Sequence, residues 1–229
     1  SKTVARRLAT LKSFFKYLVK VELIDNNVSI HVHSPKLPKK LPNFVDKNLI
    51  NMLMDSPSTD TLIGIRDRAV LELFYSTGIR LSELVNINIG DFHLNKKLLR
   101  VIGKGNKERI LPVYSEALSS VESWIQAGRV KILGHKFSNA LFLNSRGKRL
   151  TRQGFWRILK HESERAGISE SVTPHTIRHS FATHLLQGGA SLLHVQSLLG
   201  HSSISTTQIY THLTDEHVRL EYHKAHPRA

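Results

Sequence analysis

His175 and Arg178, one helical turn apart in His-Thr-Ile-Arg, are the pair in this chain whose types and spacing best suit chemistry. On a helix they share a face. Thr173-Pro174 before them is a helix start, with Thr as N-cap and Pro at the first helical position. The free N–H groups and positive dipole end of a first turn favour an anion, so an anion site is expected at His175 and Arg178. His179 lies one turn past His175, which raises a zinc pair. That reading lacks a Glu after the first His and has no cysteine to draw on. His179 and His184 fall toward the apolar side of the same helix and read as core histidines. The remaining candidates are weak singly. Arg80 after Gly78 reads as a solvated charge and Lys104 as the surface tip of a hairpin. His201 follows the helix-ending Gly200, and Tyr210 reads as a core aromatic with a wet hydroxyl.

Their order along the chain is more telling. Thr77-Gly-Ile-Arg80-Leu-Ser-Glu83-Leu is followed by Gly103-Lys104-Gly-Asn-Lys-Glu-Arg109 and then by His175-Thr-Ile-Arg178-His-Ser-Phe-Ala-Thr-His. Leu198-Leu-Gly-His201 and Ser205-Thr-Thr-Gln-Ile-Tyr210-Thr-His complete the series. In this order the motifs resemble those of the tyrosine recombinase (phage integrase) family, and the ending Ala225-His-Pro-Arg-Ala229 resembles its bacterial Xer-type members. The resemblance covers residues 43–229 in full. Residues 1–30 resemble the last helix of the family's N-terminal core-binding domain, whose earlier helices are absent.

Carried over by position, the resemblance makes Arg80, Lys104, His175, Arg178 and His201 catalytic and Tyr210 the nucleophile. Glu83 would orient Arg80. Such chemistry suits these residue types. Attack on a phosphodiester builds charge on the non-bridging oxygens, and arginine meets it with a permanently charged planar fork. A tyrosine hydroxyl, with a reference pKa of about 10, needs a base or strong anion stabilisation. His175 is the expected base and His201 a further donor to the phosphate. The 5′-oxygen leaves poorly without a proton, which Lys104 would supply. The product is a 3′-phosphotyrosine. No metal or other cofactor is expected.

Composition agrees with a nucleic-acid partner. Lys plus Arg number 33 against 18 Asp plus Glu, a formal charge of +15 on a chain whose apolar fraction, 40%, is ordinary for a globular core. Lys39, Lys40, Lys104, Lys107, Arg109, Arg152 and Arg157 are the candidate DNA contacts. The absence of cysteine excludes a disulfide scaffold, a thiol nucleophile and a thiolate metal site. No apolar run approaches the roughly 20 residues of a membrane helix, so a spanning helix is excluded.

The elements that must position these residues are mostly helical. The expected fold is α+β: mainly α with a small antiparallel sheet, as in the catalytic domain of the family. Val4, Leu8, Leu11, Phe15 and Leu18 make one stripe of a first helix that runs to about Lys20. Its basic, acid-poor start also fits an organelle transit peptide, but the periodicity favours structure, and the chain is expected to be a piece of something longer. Residues 31–42, with Pro35, Pro38 and Pro42 among lysines, read as a linker. A catalytic domain over 43–229 follows. Its expected elements are a helix ending at Gly78, a short helix at 81–85 and a hairpin of 98–102 with 109–113. Further helices are expected near 115–127, 152–166, 174–187, 192–199, 204–210 and 215–223. The tail 214–229 has two readings, a helix packed on its own domain or one docked on a neighbouring protomer.

The resemblance implies double-stranded DNA with a specific site as substrate and a homo- or hetero-tetramer on it, passing through a Holliday junction. A sister recombinase and a septal DNA translocase become candidate partners. A cytoplasmic, nucleoid-associated bacterial enzyme resolving chromosome or plasmid dimers is the expected setting. A type IB topoisomerase shares the constellation, though the Xer-like ending and the His201–Tyr210 spacing argue against it. A non-catalytic DNA-binding protein is the other alternative, and the intact set of catalytic positions argues against that.

Overall fold

The structure is a computed structural model that describes residues 2–35, 44–200 and 215–229. The chain divides into two compact units, Ser1–Asn43 and Phe44–Ala229. The expected helix 204–210 lies outside the described residues, as does most of the Pro/Lys stretch. In the first unit, α1 (Lys2–Lys20) carries the expected stripe, with Leu8, Phe15 and Leu18 half-buried and Leu11, Phe14 and Tyr17 exposed.

The second unit is built around α3 (Leu62–Thr77). Thr61 caps its start by accepting from the Gly64 N–H at 3.0 Å. Nearly every side chain of α3 is buried, as expected of a helix packed on all sides by α2 (Lys47–Asp55), α5 (Ser115–Ser123), α8 (Pro174–Gln187) and a strand. Its polar residues are therefore partnered internally. Arg66 pairs with Asp67 at 2.6 Å, and Thr77 donates to the Leu73 carbonyl at 2.6 Å. The small sheet is antiparallel in the order β1 (Phe92–His93), β2 (Leu98–Ile102), β3 (Glu108–Pro112). Val101 faces Arg109 and Ile102 faces Glu108 across the β2–β3 ladder. The connecting turn has positive φ at both Gly105 and Asn106, which matches the twist of a tight hairpin.

Three elements depart from the sequence-based expectation. Helix α2 and strand β1 were not expected. The helix expected near 115–127 continues instead through a π-helical turn, Trp124–Arg129, into α6 (Val130–Leu133). There Gly128 lets the chain pass the Trp124 ring, which a Cβ would meet at 2.5 Å. The remaining helices follow expectation: α4 (Leu81–Asn86), α7 (Arg152–Arg165), α8, α9 (Leu192–Leu199) and α10 (Asp215–Ala225).

The tail packs on its own domain. Tyr222 is 2% exposed, and its hydroxyl donates to the Ser76 carbonyl at 2.9 Å. The His226 ring stacks on Tyr222 with centroids 5.0 Å apart and lies 4.7 Å from Tyr114. Arg228 Nη2 meets Glu72 Oε1 at 2.7 Å, and the other Glu72 oxygen accepts from the Tyr114 hydroxyl. Glu72 is fully buried, and burial raises its pKa despite Arg228. Gly188 leaves room for this docking, since a Cβ there would lie 2.1 Å from the Ala225 carbonyl oxygen. Among the described residues no helix is long and apolar enough to cross a membrane.

Candidate active site

Gly78 ends α3 in the left-handed region at φ +55, where a side chain is strained. A Cβ would also strike the Phe181 ring at 2.2 Å. The reversal sends the chain through the buried Ile79 into α4, so Arg80 stands at the N-cap position and Glu83 in the first turn. Glu83 accepts from the Arg80 backbone N–H at 2.8 Å and from Arg80 Nη1 at 3.1 Å. Arg149 holds the far end of α4 by donating to the Val85 and Ile87 carbonyls at 2.9 and 3.1 Å.

Glu83 also takes a bidentate pair from Arg109, Nη1 to Oε1 at 3.0 Å and Nη2 to Oε2 at 2.7 Å. Burial pushes the Glu83 carboxyl up. The hydrogen bonds from Arg109 and from the Arg80 backbone outweigh it, and the net shift is downward. Arg178 enters from α8, started as expected by Thr173, whose Oγ accepts from the Thr176 N–H at 3.0 Å. Its Nη1 donates to the Gly78 carbonyl at 2.5 Å and its Nη2 to the Leu199 carbonyl at 2.7 Å. Arg80 Nη2 donates to the next carbonyl, Gly200, at 3.1 Å. Burial and then the charge of Arg80 lower the Arg178 pKa to about 10, which leaves it charged at any working pH. Two guanidinium groups thus bond one carboxylate and a third, Arg178, lies within electrostatic reach of all three, so the surplus of positive charge suits an oxyanion.

The structure therefore brings together Arg80, Glu83 and Arg178 of the expected site. His175 is solvent-exposed in the first turn of α8. The backbone of Lys104 lies in the β2–β3 turn, and its side chain is outside the description, as are His201, Tyr210, Lys39 and Lys40. Lys107, Arg152 and Arg157 are exposed. Arg109, expected on that surface, is instead turned inward, its side chain 14% exposed. The signal was available: Arg109 shares the inward parity of Leu111 on β3. Arg149 was missed because its partners, the Val85 and Ile87 carbonyls and the Asn88 side-chain oxygen, are marked by no motif. His184 is a core histidine: 1% exposed, its Nδ1 2.8 Å from the Tyr75 hydroxyl, its pKa lowered to about 4 chiefly by burial. His179 is half-buried. Among the described residues no group of three His, Asp or Glu is gathered to hold a metal.

Residues 43–217 match the phage integrase family. The chain is 45% identical over 229 residues to tyrosine recombinase XerD of Listeria innocua, covering all of this chain and 77% of that protein. It is 43% identical over 231 residues to tyrosine recombinase XerC of Pelotomaculum thermopropionicum, covering 99% and 76%. The crystal structure of XerA recombinase superposes with a TM-score of 0.66 at 32% identity, over all of this chain and 78% of that one. XerH bound to palindromic difH substrate in a post-cleavage complex gives a TM-score of 0.69 at 27% identity, over 90% and 62%.

Proposed function

The chain belongs to the phage integrase family of tyrosine recombinases, and from that premise we propose that it cuts and rejoins DNA at a specific site through Tyr210. One observation carries the reading furthest. Arg80 and Arg178, distant in sequence, converge on the adjacent carbonyls of Gly200 and Leu199, immediately before His201.

In this reading the scissile phosphate sits against Arg80 and Arg178, which take up charge as it develops on the non-bridging oxygens. Both now hold backbone carbonyls, weaker acceptors than a phosphate, and would exchange part of that bonding for the substrate. His175 accepts the Tyr210 proton, His201 donates to the phosphate, and Lys104 protonates the departing 5′-oxygen. A 3′-phosphotyrosine forms, and the free 5′-hydroxyl of a partner strand reverses the step through a Holliday junction. The bond energy is kept in the phosphotyrosine, so the chemistry calls for no metal or nucleotide.

The substrate is double-stranded DNA bearing a recombination site, and four protomers exchange strands between two duplexes. Residues 1–30 are the last helix of a core-binding domain, 31–42 the linker and 43–229 the catalytic domain. Lys39, Lys40, Lys107, Arg152 and Arg157 contact the DNA backbone. Likeness to XerD and XerC supports chromosome or plasmid dimer resolution in the bacterial cytoplasm, with a sister recombinase and a septal DNA translocase as partners.

A nicked suicide duplex carrying the genomic site tests the reading. The protein should become covalently attached to the 3′-phosphate, and Tyr210→Phe should bind the duplex but form no adduct. An adduct from Tyr210→Phe would refute the assignment of the nucleophile. Site-independent relaxation of supercoiled plasmid without strand exchange would favour a topoisomerase instead.

A further inference from the structure

Arg109 has more bonds to the site than a DNA contact would leave it. It rises from β3 opposite Val101, on the inward face of the strand. Both terminal nitrogens are spent on the two Glu83 oxygens. Its Nε donates to the Leu198 carbonyl at 3.1 Å. The guanidinium also lies against two glycines, with its face toward Gly200 and one nitrogen toward Gly103. A Cβ on Gly200 would sit 3.1 Å from Nη1 and 3.2 Å from Cζ, and one on Gly103 would sit 3.3 Å from Nη1. One side chain thus touches α4 through Glu83, the foot of the Lys104 turn at Gly103, and the end of α9 just before His201.

Its chemistry differs from that of Arg80. Glu83 is 8% exposed, and a carboxylate so placed is costly without a counter-ion. The Arg80 side chain is 40% exposed and reaches Glu83 with one nitrogen only. If Arg80 alone neutralised Glu83, turning Arg80 toward a phosphate would strand a buried charge. We propose that Arg109 is the permanent counter-ion of Glu83 and a positioning residue for strand cleavage. It leaves Arg80 free to engage the phosphate and ties the Lys104 turn to the corner before His201. This rests on the proposed strand-cleavage function.

The test uses Arg109→Gln and Arg109→Lys in the full-length protein on the nicked suicide duplex. Duplex binding and its salt slope should match the parent, because no phosphate contact is lost. Adduct formation at saturating duplex should fall about 100-fold for Arg109→Gln, the scale of a displacement near 1 Å. Arg109→Lys keeps the charge but not the fork, and should fall about 10-fold. A 5′-phosphorothiolate at the cleavage position should rescue Arg109→Gln only in part, since Arg80 is displaced as well as the Lys104 turn. Adding Glu83→Gln to Arg109→Gln should cost little more, because the two act as one pair. Parental cleavage rates in both variants would overturn the proposal. So would a salt slope shallower by about one unit with cleavage intact, which marks a phosphate contact. Variants that both lose the fold would assign Arg109 to stability alone and overturn it too. A parent that forms no adduct would overturn the strand-cleavage reading along with this one, whereas parental adducts with indifferent variants overturn only the role of Arg109.

Discussion

Gly78→Ala should damage stability and chemistry together, in separable shares. The backbone at 78 stays at φ +55, where an L side chain costs about 1–2 kcal/mol. The new methyl would also meet Phe181 Cδ1 at 2.2 Å, and Phe181 is 1% exposed with no room to withdraw. Overpacking of this kind costs about 1–3 kcal/mol. The sum is about 3 kcal/mol, which at about 3 °C per kcal/mol for a chain of this size lowers Tm by about 9 °C. Phe181 and Arg178 sit on one helix, and the Gly78 carbonyl accepts from Arg178. Relieving the clash therefore displaces Arg178, and the rate of adduct formation should drop about 100-fold even well below the new Tm. In a Phe181→Leu background the steric share should vanish, leaving about 1–2 kcal/mol from φ alone. Calorimetry and single-turnover cleavage at 20 °C below Tm measure the two shares. A Tm within about 2 °C of the parent would refute the steric argument. A destabilised variant that cleaves at the parental rate would refute the link from the Gly78 carbonyl to Arg178.

Arg228→Ala leaves the buried Glu72 without its counter-ion and should cost about 3–5 kcal/mol, seen as a lower Tm and faster proteolysis of the tail; Glu72→Gln with Arg228→Met should restore most of it. Acid should weaken the fold, because burial lowers His184 to about 4 and His226 to about 3. Below the unfolded value near 6.5 the unfolded chain binds protons that these rings refuse. Stability is full above about pH 6.5 and falls toward pH 4, by up to about 1.4 kcal/mol per pH unit for each ring. Asp67, pushed up to about 6 by burial, acts in the opposite sense, so the measurement is the slope of Tm between pH 7 and 5 in His184→Gln and His226→Gln against the parent. Slopes equal to the parent's would sink the assignment. Lys104→Ala should be rescued on a 5′-phosphorothiolate substrate, whose thiolate leaves unprotonated, and Arg178→Ala should not; equal rescue would remove the acid role from Lys104.

Local signals were legible wherever one residue did one job. Thr61, Thr173 and Ser191 cap the helices that begin at Leu62, Pro174 and Leu192, and Gly78 ends α3. Helix α2 carried the same kind of signal, Asp46 accepting from the Asn48 N–H with Ile50, Leu53 and Met54 on the buried side, but nine residues after a proline-rich stretch make a faint pattern. The cis docking of the tail was open in sequence because its anchors, Glu72 and Ser76, are polar residues inside a helix, a type that ordinarily faces solvent. Only packing on all sides of α3 turns them inward. In the site, Arg80, Glu83, His175 and Arg178 were candidates on motif order alone, and the structure brings Arg80, Glu83 and Arg178 together. The inward role of Arg109 was hidden by its place in a basic run, where charge outweighed strand parity.

Arg178 and Arg80 are held by the carbonyl oxygens of Gly78, Leu199 and Gly200. Every amino acid brings that oxygen, so at Leu199 the constraint on the arginine falls on the path of the chain and not on the side chain. The Leu199 side chain, 7% exposed, answers to the core and can drift among apolar residues while its carbonyl goes on serving Arg178. Two kinds of inheritance are thereby separated at one position. Apolar substitutions at Leu199 can accumulate without moving the Arg178 guanidinium, whereas at Gly78 and Gly200 the positive φ and the close approach of Phe181 and Arg109 fix the residue as well as the carbonyl.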